Sequence, residues 1–185
     1  MEPETQPTTP VRPNGGRSFG FALIVVTSAA IGFALLIRQG SPPKNFGIRP
    51  APPIRAAGWL NGKPPTAADL RGKVVVIDAW AHWCERCRAK APELVKLHET
   101  YQNRGVVFLG LTPEGNDVAT ENKKFLEEVK FTWPSGYGAA QTLAALNSEA
   151  LPKLWVLDRK NMVIWEQPAS EPIEAAIERA LAEQP

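Results

Sequence analysis

Ala79-Trp80-Ala81-His82-Trp83-Cys84-Glu85-Arg86-Cys87 contains both cysteines of the 185-residue chain, with two residues between them. A chain that uses cysteine for covalent stapling scatters several along its length, whereas this one places its whole complement in a single C-x-x-C. The pair closely follows Val74-Val75-Val76-Ile77, a β-branched run without alternation that fits a strand buried on both faces of an α/β sheet. A helical pattern begins near Cys84. Strand, turn, C-x-x-C and helix in this order set the fold class and the place where chemistry is expected.

Disulfide exchange is carried by a thiolate. A cysteine at a helix N-terminus sits against unpaired backbone N–H groups and the positive end of the helix dipole, and both depress its pKa. Cys84 is therefore the expected nucleophile. Cys87, about one turn further on, is the expected resolving residue, placed to attack a mixed disulfide on Cys84. A structural zinc site needs four ligands. With no second C-x-x-C and only His82 and His98 as histidines, the inventory falls short. Two thiolates also suit Cu(I), so copper binding stands as the alternative use of the pair. Asp78 follows four β-branched residues in a strand expected to be central, where an ionised carboxylate is costly and its pKa should rise. Glu85 and Arg86 bring opposite charges beside the thiolate and are the expected tuners of its pKa.

Asp78-Ala79-Trp80-Ala81-His82-Trp83-Cys84 resembles the D-x-W-A-x-W-C active-site pattern of the thioredoxin superfamily. Pro92, five residues past Cys87, falls on the proline that kinks that family's first helix, and Leu151-Pro152 resembles its cis-proline loop. The apolar segment near the N-terminus and the long stretch from Val106 to Asn147 are similar to the membrane-anchored TlpA/ResA-type thiol-disulfide oxidoreductases. The resemblance spans about Ala51 to Gln184. It implies an α/β thioredoxin-like fold, a mixed central sheet flanked by helices, with an N-terminal transmembrane helix. It also implies a redox-active Cys84–Cys87 disulfide, with Asp78 taking the proton from Cys87, and a docking surface for substrate made by Trp83, Leu151 and Pro152.

Protein thiols and disulfides are the implied substrates, and no cofactor is needed because the dithiol carries the electrons. The reductase direction is favoured, supplied by a membrane electron donor. Two departures stand out. Glu85-Arg86 lies where many relatives have a residue followed by proline, and Arg86 with the helix dipole is expected to make the couple more oxidising than thioredoxin. Lys153 stands where the family has a small hydroxyl residue. Copper-carrying relatives of the fold space their cysteines C-x-x-x-C and add a distal histidine, which sets them apart from this chain.

Outside that core, residues 1–18 are rich in Pro, Thr and Gly and are expected to be disordered. Residues 19–37, FGFALIVVTSAAIGFALLI, are uncharged and bounded by Arg17 and Arg38. At about 1.5 Å per residue they just span a hydrocarbon core of about 30 Å, and Arg38-Gln39-Gly40-Ser41 makes a poor cleavage site, so an uncleaved single-pass anchor is expected. Cations flank both sides and do not orient it. An extracytoplasmic or periplasmic catalytic domain follows from the resemblance and from where disulfides persist. Residues 38–53 form a proline-rich spacer ahead of the thioredoxin-like domain at 54–185. The net charge of +2 gives no argument for a nucleic-acid partner.

Within the domain, a strand is expected over Ile54–Leu60, a second over Val74–Ile77, and a helix from Cys84 to Asn103 with Ala91, Leu94, Leu97 or His98, and Tyr101 on one stripe. Strand Val106–Leu111 follows, then a helix capped by Asp117 and a helix over Ala139–Asn147, and Phe131–Pro134 between them resembles the family's short extended piece. A hairpin of Leu154–Leu157 with Met162–Trp165 and a last helix capped by Ser170 complete the order.

Overall fold

The computed structural model describes residues 47–183. The expected tail at 1–18, the anchor at 19–37 and residues 38–46 of the spacer lie outside them. Among the described residues no helix is long and apolar enough to cross a membrane.

The centre of the molecule is β3 (Val74–Ala79), whose six residues are all buried. It pairs in parallel with β4 (Val106–Leu111) and antiparallel with β6 (Lys153–Leu157). Beyond β6 lies β7 (Met162–Glu166), joined to it as an antiparallel hairpin. On the other side β5 (Ser135–Tyr137) runs parallel to β4 and is edged by β2 (Gly58–Leu60). A two-residue edge strand, β1 (Arg49–Pro50), pairs with β7 at Val163 and Met162. The order is β1-β7-β6-β3-β4-β5-β2, a seven-stranded mixed sheet. A proline at this edge costs no ladder bond that a central strand would need.

Helices cover both faces, which is why β3 reads as continuous Val and Ile rather than alternating. On one face α2 (Glu85–Tyr101), α3 (Ala119–Glu128) and α5 (Ile173–Ala182) pack against Val74, Val76, Trp80, Leu154 and Val156. On the other, α4 (Ala140–Ala145) contributes Leu143 against Val75, Ile77, Leu109 and Trp155. A single turn, α1 (Ala67–Leu70), is capped by Thr66 and Asp69, each side chain bonding the other's backbone N–H.

Several boundaries differ from the sequence reading. The first expected strand contracts to Gly58–Leu60, the residues in register with Tyr137, Gly136 and Ser135 of β5. Asp117 caps nothing. It lies inside a 3-10 turn, Asn116–Val118, and α3 starts at Ala119 without a side-chain cap. Phe131–Pro134 is irregular; Phe131 and Trp133 fill the core there, and the ladder with β4 begins one residue later at Ser135. The last helix opens at Pro172 rather than Ser170, since a residue before proline is driven out of the helical region. The long helix stops at Tyr101, two residues early, and the chain turns through Gly105 at φ +83°, a conformation that suits glycine.

Candidate active site

The C-terminal end of β3 and the N-terminal end of α2 meet in the turn Trp80–Cys84. Cys84 is the N-cap of α2, in extended conformation, and its sulfur accepts the N–H of Cys87 at 3.1 Å. Cys84 and Cys87 are disulfide-bonded, with Cα atoms 5.2 Å apart. Both are buried. The structure therefore puts the cysteine pair at the end of the helix that the sequence indicated, with Cys84 nearest the orphan N–H groups of its first turn.

Asp78 lies in β3 between Gly110 of β4 and Leu154 of β6, and is 2% exposed. Strand alternation places it on the α2 face with Val76 and Trp80, in the core that also holds both cysteines. Neither carboxylate oxygen meets a hydrogen-bond partner among the described residues. Burial alone pushes its pKa up to about 7. A carboxyl group of that pKa can hold or release a proton at neutral pH.

Trp80 is fully buried and stacked on Phe125 of α3 at 5.0 Å. Trp83, three residues on, is 62% exposed. It shares a groove of about 340 Å³ with Pro113, Leu143, Ala144 and Leu151. The Leu151–Pro152 peptide is cis, as the resemblance implied, and so is Gln167–Pro168. Leu151 is half-buried and packs on both core clusters. Trp83 and Leu151 are thus brought to one groove, and Pro152 follows directly.

Glu85 and Arg86 are exposed and make no hydrogen bond or ion pair with the described residues. Both lie in the first turn of α2, next to Cys84 in the chain. His98 is half-buried between Phe108 and Trp133, ring centroids 5.1 and 5.0 Å away, and its pKa is lowered by desolvation. It belongs to the packing.

Two residues gripping the active-site turn were not singled out from sequence. Glu114, in the loop after β4, accepts the His82 backbone N–H at 2.9 Å through Oε2, and its Oε1 lies 2.5 Å from His82 Nδ1. Thr112 Oγ1 steadies the same carboxylate at 3.2 Å. From the opposite side Arg88 of α2 donates to the His82 carbonyl at 3.3 Å, pairs with Glu128 of α3 and lies over the Phe125 ring. Arg88 had a sequence signal, a cation in the first turn of the helix beside Cys87. Glu114 had none, being 32 residues from His82.

Comparison with known proteins agrees with this geometry. Thiol-disulfide oxidoreductase ResA of Bacillus cereus is 26% identical over 148 residues, covering 80% of this chain and 85% of that protein. ResA of Geobacillus kaustophilus is 27% identical over 143 residues, covering 77% and 81%. Among solved structures, a thioredoxin-like superfamily protein, SPOA0173, superposes with a TM-score of 0.65 at 27% identity over 74% of this chain and 99% of that one. A thiol-disulfide isomerase from Corynebacterium glutamicum gives 0.63 at 24% identity over 73% and 97%, and bears on the fold. Residues 49–166 match the AhpC/TSA family, and this span takes in the sheet from β1 to β7, the disulfide and the cis-proline loop. With its mixed sheet, its C-x-x-C at the head of a helix and relatives that are thiol-disulfide oxidoreductases, this chain belongs to the thioredoxin-like AhpC/TSA family.

Proposed function

We propose that the chain is a membrane-anchored thiol-disulfide oxidoreductase that exchanges disulfides with protein substrates through Cys84 and Cys87. The observation that carries this reading is the disulfide formed across the first turn of α2, with Cys84 as the helix cap. In the reduced protein the Cys84 thiolate attacks a substrate disulfide. A mixed disulfide forms and one substrate sulfur leaves as a thiolate, which takes a proton from water. Asp78, in its ionised form, takes the proton of Cys87. The Cys87 sulfur then attacks Cys84 Sγ, the internal disulfide closes, and the second substrate sulfur is expelled. The substrate gains two electrons and the protein loses two; run backwards, the same steps oxidise a dithiol. Raising Asp78 to about 7 fits this duty, because base strength and the ionised fraction are then balanced near neutral pH.

The groove of Trp83 and Leu151, with Pro152 at its side, accommodates an extended segment of the substrate next to its cysteine. The reductase direction, with a membrane electron donor regenerating the dithiol, is taken from the resemblance of the active-site stretch to the TlpA/ResA-type proteins. The apolar stretch 19–37 supplies the anchor, and an extracytoplasmic domain is where substrate disulfides persist. The alternative, a copper carrier that uses the same two thiolates as Cu(I) ligands, is separated from this reading by the test below.

The test is an insulin-reduction assay on the purified full chain, paired with metal analysis after anaerobic purification. Cys84→Ser should abolish turnover, and Cys87→Ser should trap a mixed disulfide that runs as a covalent complex until thiol is added. Turnover that survives Cys84→Ser, or one copper per chain with no turnover, would overturn the proposal. The redox state of the pair, trapped by alkylation in living cells, reports direction: mostly dithiol for a reductase, mostly disulfide for an oxidase.

A further inference from the structure

Away from the cysteines, the end of α4 holds a second cluster of charge. Glu166, the last residue of β7, is 1% exposed. Its Oε2 accepts from Arg49 Nη2 of β1 at 2.6 Å, and Lys153 Nζ of β6 stands 4.0 Å from its Oε1. The same two cations reach the carbonyls where α4 ends: Arg49 Nη2 donates to Leu146 at 3.2 Å and Lys153 Nζ to Asn147 at 2.7 Å. Trp155 Nε1 adds a third donor, to Leu146 at 3.2 Å, and Lys153 lies over the Trp155 ring. Cations suit the carbonyl end of a helix, and a buried carboxylate requires a paired cation. Glu166 thus binds Arg49 directly and places its charge 4.0 Å from Lys153, the two cations that finish α4.

The end of α4 leads directly into the groove. Asn147, at φ +59°, turns the chain into the loop whose residues Ser148, Glu149, Ala150 and Leu151 line the groove beside Trp83. Lys153, directly after Pro152, is the other end of the same loop. Its bond to the Asn147 carbonyl closes the loop at its base. Glu166 sets the opposite charge 4.0 Å from this lysine, only 13% of whose side chain is exposed.

We propose that Glu166, Lys153 and Arg49 form a positioning clamp that sets the shape of the substrate-docking loop. The clamp rests on the reading that the groove receives protein substrates, and it acts on docking, not on the sulfur chemistry. A small aromatic disulfide that needs no groove should be blind to it, whereas a protein disulfide should not.

The experiment compares insulin with 5,5′-dithiobis(2-nitrobenzoate) as oxidants of the reduced full chain, in Glu166→Gln, Lys153→Met and Lys153→Arg. Glu166→Gln and Lys153→Met should each raise the KM for insulin about tenfold and leave its kcat within about twofold, as expected when docking alone is weakened. The rate with the small disulfide should stay within about twofold. Lys153→Arg, which keeps the charge and can reach the Asn147 carbonyl, should restore most of the insulin KM. A variant combining Glu166→Gln with Lys153→Met should lose less than the two single effects combined, because both remove one coupled pair. An unchanged insulin KM in Lys153→Met, or an equal loss with both oxidants, overturns the clamp. Should Glu166→Gln unfold the protein, Lys153→Met and Lys153→Arg decide. An unmodified chain that oxidises with neither reagent would instead sink the exchange reading itself, and is distinguishable because no variant is involved.

Discussion

Asp78 joins stability and chemistry in one side chain. An acid with a pKa of about 7 in the fold, against an ordinary value of 3.8, binds its proton more tightly folded than unfolded. Between those two pKa values the unfolded chain releases the proton first, so the stability that Asp78 contributes falls as pH rises from about 4 and is lost as pH passes about 7. The gap corresponds to roughly 4 kcal/mol. Urea denaturation at a series of pH values should show the parent losing stability across this window and Asp78→Asn staying nearly flat, so that the variant is the more stable protein at pH 8. The same variant should close the Cys84–Cys87 disulfide more slowly from a mixed disulfide, measured by quenched-flow alkylation. Gly110, the cross-strand partner of Asp78, is equally constrained. A Cβ there would stand 2.5 Å from Ser135 Oγ and 2.8 Å from Trp80 Nε1. Gly110→Ala should cost about 1–3 kcal/mol in urea unfolding and shift the fluorescence of the displaced indole.

At the scale of elements, α2 is held by the turn before it. The segment from Trp80 to Cys84 has no regular structure, yet His82 is bonded from both sides, by Glu114 from the loop after β4 and by Arg88 from the helix itself. Glu114→Ala removes the acceptor of the His82 N–H. Hydrogen exchange at that amide should accelerate at least about tenfold while the urea midpoint drops by an amount equivalent to about 1–2 kcal/mol. An exchange rate that does not move would show that the turn holds itself. Pro92 sits on the exposed side of α2, so the helix tolerates it without surrendering the buried stripe of Ala91, Leu94, Leu97 and Tyr101.

For the whole molecule, the sheet is closed at one edge by β1, which lies in the stretch whose composition suggests only a spacer. Arg49 carries more than two backbone pairings, since it neutralises the buried Glu166 from an edge strand. A chain beginning at residue 47 should therefore unfold cooperatively, whereas one beginning at residue 54 should lose about 2 kcal/mol or more, because Glu166 is left without its closest cation. Urea midpoints of the two chains check this. Equal midpoints would mean that the domain ends where proline density does.

Sequence alone determined the parts in which local spacing is the cause. The β-branched run of β3 requires burial on both faces, C-x-x-C at a helix start requires a cap cysteine with its neighbour one turn on, and Asp78 in such a strand must be desolvated. Those features rest on periodicities of two and 3.6, which any neighbouring elements must respect. Boundaries set by pairing have no such basis. Leaving the helical pattern does not say where a ladder bond is available, so the extended pattern at Ile54–Leu60 overshoots the strand, and the extended piece that the resemblance puts at Phe131–Pro134 precedes it. Only the tertiary structure could decide that Glu114 meets His82 across 32 residues, or that Glu166 meets Arg49 across 117. An isolated carboxylate has no periodic signature; its role is created when the sheet order brings distant strands and loops together, and the penalty for burying its charge then dictates its partner.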